Sequence, residues 1–79
     1  DLALEACERA LAIQPELISA VYSKACALSR LARWDEALEW LGRAIDGDQK
    51  YRELARTDPD FQPLREHPTY GPRFWALVG

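Results

Sequence analysis

The stretch 34-WDEALEWLGRAI-45 repeats much of 1-DLALEACERAL-11. Aligned residues that are identical stand 34 positions apart: Asp1 and Asp35, Ala3 and Ala37, Leu4 and Leu38, Glu5 and Glu39, Arg9 and Arg43, Ala10 and Ala44. A fixed period of this length is typical of proteins built from stacked supersecondary units. The sequence therefore predicts a repeated unit of 34 residues.

Apolar residues in both stretches are spaced as on one face of an α-helix. In the second stretch the stripe consists of Ala37, Leu38, Leu41, Ala44 and Ile45, at the i, i+3, i+4, i+7 spacing. A third stripe lies between the two stretches, at Leu17, Ile18, Val21, Tyr22, Ala25, Leu28 and Ala32. Pro15 suits the first turn of this helix. The links are short, so consecutive helices are expected to lie antiparallel.

One full unit of this pattern resembles the tetratricopeptide repeat. The residues that carry the resemblance are Val21, Ala25, Leu28, Ala32, Trp34, Ala37, Leu41 and Ala44. The chain departs from the family at Lys24 and Ala25, where Leu and Gly are preferred, and at Gln49, where the repeat usually closes with proline.

The resemblance implies an all-α fold of antiparallel helix-turn-helix repeats stacked as an α-solenoid. Residues 1–15 would be the second helix of an incomplete repeat, and residues 16–49 one full repeat. A chain that begins inside a repeat is expected to be a piece of a longer protein. A helical bundle without repeats is the alternative.

Residues 50–79 have a different pattern, with prolines at 59, 63, 68 and 72. Each interior proline breaks a helix, so short helices are expected, the first with Tyr51, Leu54 and Ala55 facing inward. Asp58-Pro59 and His67-Pro68 have the pattern of an N-cap followed by a first-turn proline.

The tail 57-TDPDFQPLREHPTY-70 resembles the segment that closes the array in many bacterial tetratricopeptide proteins. We interpret residues 50–79 as a C-terminal cap over Trp40, Leu41 and Ile45. The alternative is that the aromatic tail is a docking peptide for another protein.

Composition limits the classes of partner. The net charge is -3, with 10 basic and 13 acidic residues interspersed, so neither nucleic acid nor a membrane surface is expected as a partner. Two cysteines, Cys7 and Cys26, cannot build a dense disulfide framework, which favours a reducing, cytoplasmic setting.

The sequence offers few residues for catalysis or for binding a metal. His67 is the single histidine, and its position before a proline favours a capping or surface role. Cys7 and Cys26 match no zinc spacing, and the glycines form no phosphate-binding loop. We therefore expect no metal, no cofactor and no enzymatic activity within these residues; an enzyme is the least favoured class.

The resemblance implies a binding groove along the first helix of the full repeat. Its residues would be Ser19, Tyr22, Ser23, Cys26, Ser29 and Arg30. Such a surface suits a peptide or a neighbouring domain, with Tyr22 as contact area and Arg30 as a partner for a carboxylate. The Lys and Asn of the chaperone-binding members are replaced here by Tyr22 and Cys26, so that specificity is not expected.

Two roles remain open from the sequence. The first is a protein-interaction module that uses this groove. The second is a structural end of a longer array, without a ligand, which self-associates through the face of the first helix. Leu4, Cys7 and Leu11 are expected to be partly uncovered on that face, which predicts a tendency to dimerise.

Overall fold

A computed structural model describes residues 1–79 as six α-helices and a short 3₁₀ helix, with no strand. The α-helices are α1 (Leu2–Ile13), α2 (Ile18–Arg30), α3 (Trp34–Gly47), α4 (Lys50–Thr57), α5 (Gln62–Arg65) and α6 (Gly71–Val78). The 3₁₀ helix, Pro59–Phe61, precedes α5. None of these helices combines the length and the hydropathy that a membrane span requires. The all-α class expected from the sequence is confirmed.

Of the first three helices, α1 alone begins at a side-chain cap. Asp1 caps α1, where its side chain accepts a hydrogen bond from the Leu4 amide at 3.0 Å. The expected start of α2 at Pro15 is wrong. Pro15 lies in a turn closed by the Leu17 amide and the Gln14 carbonyl, 3.1 Å apart, and the helix begins at Ile18.

The turn between α2 and α3 is a tight helix ending. Ala32 has a φ of 60°, in the left-handed region. The next amide, Arg33, donates to the carbonyl of Leu28 at 2.9 Å, which is the long hydrogen bond of a Schellman ending. This ending turns the chain directly into α3.

Helices α2 and α3 form the centre of the core. Their facing residues are completely buried, namely Ala25, Ala27, Leu28, Ala37, Leu41 and Ala44. Small residues let the two backbones approach closely. Gly47, at the end of α3, lies against Ile18, at the start of α2, so the pair is antiparallel. The apolar stripe expected on α3 is therefore the buried face of that helix.

Residues 50–79, named here the closing segment, fold back over α2 and α3. Phe61, Leu64, Phe74 and Val78 are completely buried. Each large apolar side chain enclosed in this way contributes about 1.5–3 kcal/mol to folding. The closing segment thus supplies a large share of the core.

Hydrogen bonds from two arginines to backbone carbonyls hold the closing segment together. Arg56 donates to the carbonyl of Val78 at 2.7 and 3.0 Å, which ties α4 to the end of α6. Arg65 donates to the carbonyls of Ala55 and Asp58 at 2.9 and 2.7 Å, across the turn after α4. These bonds satisfy carbonyls that the short helices leave unpaired.

The structure corrects several expectations for the closing segment. Prolines do divide it into short helices, but Leu54 is 48% exposed, so α4 presents Tyr51 and Ala55 inward without it. Helix α6 begins at Gly71, after a turn, and not at Pro68. Trp40 was expected to lie under the cap, but its side chain is only half-buried. Lys24 Nζ lies 4.0 Å from the centre of its ring.

Helix α1 packs on α2 through the side that was expected to be partly uncovered. Leu4 is only 7% exposed and belongs to the core, so the prediction of a partly uncovered Leu4 is wrong. Cys7 and Leu11 are half-buried, and therefore partly uncovered as expected. The exposed large apolar residues of α1 are Leu2 and Ile13, on the opposite side of the helix.

Candidate functional site

A cleft of about 370 Å³ lies between α1, α2 and the turn that follows α4. We name it the α2 cleft, and its lining residues are Ala3, Cys7, Tyr22, Ser23, Cys26, Arg30, Asp58 and Asp60. Four of the six groove residues expected from the sequence belong to it. The turn residues Asp58 and Asp60 complete the wall opposite α1.

Tyr22 forms the floor of the α2 cleft and is buried. Its ring stacks on Tyr51 of α4 with 4.5 Å between ring centres, and Phe61 meets it edge-on at 5.7 Å. Its hydroxyl donates to Asp58 Oδ2 at 2.8 Å. Tyr22 was expected to be open contact area for a ligand, which is wrong because the closing segment covers it.

Cys26 is buried beside Tyr22, with its thiol 3.9 Å from Asp58 Oδ2. Burial and the negative charges of Asp58 and Asp60 raise the pKa of the thiol to about 12. Burial and the hydrogen bond to Asp58 also raise the pKa of Tyr22. Both groups are therefore protonated at neutral pH, and Cys26 lacks the thiolate that a nucleophile requires.

The turn at Asp58 is built by a local capping arrangement. Asp58 Oδ1 accepts a hydrogen bond from the amide of Asp60 at 3.0 Å, and Pro59 takes the first position of the 3₁₀ helix. This geometry directs Asp60 toward α2, where its carboxylate lies 3.0 Å from Arg30 Nη1. The N-cap role expected for Asp58 is confirmed, and the same residue also binds α2.

The remaining expected groove residues lie in three different environments. Ser23 is exposed and lines the cleft, and Ser19 is exposed but lies outside it. Ser29 is 1% exposed, and its hydroxyl has no hydrogen-bond partner. Its expected place in an open groove is therefore wrong, because the side of α2 that carries it is enclosed.

The sequence reasoning did not place Asp58 and Asp60 in the site. Their Asp-Pro-Asp pattern predicted a turn, but its contact with α2 joins residues more than 30 positions apart. The folding back of the closing segment decides that contact. A local capping signal cannot reveal it.

Three potential metal-binding side chains meet in the α2 cleft. Cys26 Sγ and a carboxylate oxygen from each of Asp58 and Asp60 lie within 4.8 Å of one another. A thiol binds metal as the thiolate, whereas burial favours the protonated form of Cys26. Asp60 is also paired with Arg30. This cluster is better suited to joining the closing segment to α2 than to holding an ion.

A second polar and aromatic cluster joins α3 to the closing segment. Trp34 lies 5.2 Å from the His67 ring, centre to centre, and Asp35 binds both Tyr70 and Arg73 at 3.2 and 2.9 Å. His67 Nδ1 accepts hydrogen bonds from the amides of Thr69 and Tyr70 at 3.0 and 3.2 Å. The capping role expected for His67 is thus confirmed, in a turn before α6.

No protein-family model matches the chain, and it has no match among the curated proteins or the solved structures.

Proposed function

We propose that the chain is a non-catalytic protein-interaction module of the tetratricopeptide type, which holds a peptide or a segment of a neighbouring domain in the α2 cleft. The observation that carries this proposal is the cleft itself, open to solvent between two helices and a fixed turn. The 34-residue register supports the repeat assignment, because the residues that match the repeat pattern at Ala37, Leu41 and Ala44 are completely buried.

The lining of the α2 cleft favours a peptide ligand. Ala3 and Cys7 form an apolar wall on α1, and Ser23 and the Arg30–Asp60 ion pair offer hydrogen-bonding groups along the opposite edge. A volume of about 370 Å³ is small for a ligand pocket and suits one or two peptide side chains. Main-chain groups of an extended peptide would bind the polar edge.

The buried network beneath the cleft makes the floor rigid. Tyr22 is held by Tyr51, Phe61 and Asp58, so a ligand meets a surface that is already in place. A preformed surface reduces the entropy that binding must overcome. Cys26 and Tyr22 stay protonated, which supports recognition rather than nucleophilic catalysis as the role of the cleft.

A matched pair of serine variants tests this proposal. Peptides are selected from a random displayed library on the wild-type chain, and their affinity is measured by isothermal titration calorimetry. Ser23→Arg fills the cleft and should weaken binding at least about tenfold, a loss of about 1.4 kcal/mol. Ser19→Arg, on the same helix but outside the cleft, should not change the affinity. Failure to select any peptide, or equal loss in both variants, would contradict the proposal.

A second candidate role is that of a structural end of a helical array. The specific observation that favours it is the closing segment, which covers α2 and α3 with Phe61, Leu64 and Phe74. An array of stacked helices needs such a cover to stay soluble. In this role Phe74→Ala should increase self-association in light scattering, whereas Trp75→Ala should not, since Trp75 is 46% exposed. An unchanged particle size in Phe74→Ala would argue against this role.

A further inference from the structure

The charges that face the α2 cleft do not balance. Its lining residues include two carboxylates, Asp58 and Asp60, and one cation, Arg30, so the lining carries a formal charge of -1. Arg30 pairs with Asp60 at 3.0 Å, whereas no ion pair involves the side chain of Asp58. Arg65 donates to the backbone carbonyl of Asp58 at 2.7 Å and not to its carboxylate. The unpaired negative charge of the cleft therefore belongs to the Asp58 side chain.

The neighbouring thiol is affected by this excess of negative charge. Burial is the largest cause of the raised pKa of Cys26, and the charges of Asp58 and Asp60 raise that pKa further. Arg30 acts in the opposite direction but does not cancel them. A negative potential disfavours a thiolate in the cleft and favours a cation at the same place.

The spacing of the two carboxylates suits one ammonium group. An oxygen of Asp58 and an oxygen of Asp60 lie within 4.8 Å of each other. Nitrogen donors form hydrogen bonds of about 2.7–3.2 Å, so a single ammonium nitrogen between these oxygens can reach both. An ammonium donates to the carboxylate oxygens alone and does not require the thiolate form of Cys26, which a metal ion would bind.

The hydrogen bonds already present favour lysine over arginine as the source of the cation. Arginine binds a carboxylate best through a planar fork that needs both oxygens open. Asp58 Oδ1 accepts from the Asp60 amide, and Asp58 Oδ2 accepts from Tyr22. Asp60 Oδ2 already faces Arg30. Lysine ends in a compact group with three donors, which can use one remaining lone pair on each carboxylate.

We propose, on the basis of the peptide-binding function proposed above, that the ligand of the α2 cleft presents a lysine whose ammonium lies between Asp58 and Asp60. The methylene stem of this lysine lies along the apolar wall of Ala3 and Cys7. Arg30, which was expected from the sequence to bind a carboxylate of the ligand, is already paired with Asp60. The ligand is therefore a basic peptide, and its recognition depends on charge.

A double-mutant cycle tests this contact. Peptides selected on the wild-type chain from a random displayed library should carry lysine at one fixed position. Replacing that lysine with norleucine keeps the stem, removes the charge and should weaken binding at least about tenfold in isothermal titration calorimetry. Asp60→Asn should weaken the lysine peptide to a similar extent. It should not change the affinity of the norleucine peptide, because the contact is already absent there. A variant that had lost its fold would instead lose both peptides.

Two further variants separate this contact from general charge effects. Asp46→Asn makes the same change of charge at an exposed position of α3 outside the cleft and should leave the affinity unchanged. Arg30→Gln removes the competing cation and should strengthen binding of the lysine peptide about two- to fivefold. A ligand bound through its own carboxylate would bind this variant more weakly.

The outcomes distinguish the lysine contact from the peptide-binding function. Selected peptides without lysine, a norleucine peptide that binds as tightly, or weaker binding by Arg30→Gln would overturn the lysine contact alone. An equal effect of Asp60→Asn on both peptides would do the same. Failure to select any peptide would overturn the lysine contact and the peptide-binding function together.

Discussion

The hydroxyl of Tyr22 donates a hydrogen bond of 2.8 Å to Asp58, and this bond joins the centre of α2 to the turn that follows α4. The two residues are 36 positions apart. Asp58 also accepts from the amide of Asp60, so one carboxylate caps the 3₁₀ helix and attaches it to α2. The wall and the floor of the α2 cleft thus depend on the same side chain.

Tyr22→Phe should lower the free energy of unfolding by about 1–2 kcal/mol, since a partly buried hydrogen bond to a carboxylate is lost while the ring stacking is kept. Urea denaturation followed by circular dichroism measures this change. Tyr70→Phe is the matched control, because the Tyr70 hydroxyl donates to Asp35 at 3.2 Å on the exposed surface. Its loss should lower the free energy of unfolding by less than about 0.5 kcal/mol. Equal effects would show that burial does not distinguish the two bonds.

Alkaline pH should destabilise the fold through Cys26. The unfolded thiol ionises near its ordinary pKa of 9.0, whereas burial and Asp58 keep the folded thiol protonated up to a pKa of about 12. The raised pKa therefore stabilises the fold fully below pH 9, and the stabilisation is lost as pH rises from 9 to about 12.

The measurement for this pH dependence is urea denaturation at neutral pH and near ~pH 10.5. Cys26→Ser removes the thiol and should reduce the loss of stability on going to the higher pH. Cys7→Ser, in the half-buried thiol of α1, should leave the loss as large as in the wild type. If Cys26→Ser shows the full wild-type decline, burial of this thiol is not the cause.

Two glycine-to-alanine changes should have opposite effects. An added Cβ at Gly42, within α3, would lie 3.6 Å from Leu77 Cδ1, an ordinary contact, so Gly42→Ala should stabilise the fold by about 0.5–1 kcal/mol. At Gly71 the added Cβ would lie 2.7 Å from the carbonyl oxygen of Arg65, and backbone cannot move aside easily. Gly71→Ala should therefore lower the melting temperature, and Gly42→Ala should raise it; the same sign for both would contradict this geometry.

Removing Arg65 and removing Arg73 should lower the free energy of unfolding by different amounts, because Arg65 binds backbone carbonyls and Arg73 forms an exposed ion pair. Arg65→Ala leaves the carbonyls of Ala55 and Asp58 without their donor and should cost about 1–3 kcal/mol. Arg73→Ala removes an exposed ion pair with Asp35 and should cost less than about 1 kcal/mol. Chemical denaturation of both variants gives the comparison, and a larger loss in Arg73→Ala would be inconsistent with the structure.

The helices of the first half were predictable because their signals are local. The stripe of α3 repeats at the helical period, and every residue in it is buried. The side of α1 that faces the core follows from the same period, since Leu4 is buried like its counterpart Leu38. The degree of burial along that side was not predictable, because it depends on how closely α2 covers each residue and not on a local signal.

The site was only partly predictable for a related reason. Helical spacing correctly placed Tyr22, Cys26 and Ser29 on one side of α2. It does not show which part of the chain covers that side. Ser29 is polar and was expected at the surface, whereas it is enclosed with no hydrogen-bond partner. The fold-back of the closing segment decides this, through contacts such as Tyr22 with Asp58 that no local pattern encodes.

The position of Val78 in the core has a consequence for synthesis of the protein. This residue is completely buried, and it is held near α4 by the bond from Arg56 to its carbonyl. During translation, α2 and α3 leave the ribosome well before α6 does, with the surface for Phe61 and Phe74 still open to solvent. Exposed apolar surface on a nascent chain is what chaperones bind. The core formed by residues 1–79 is therefore complete only after the last turn of α6 has been synthesised.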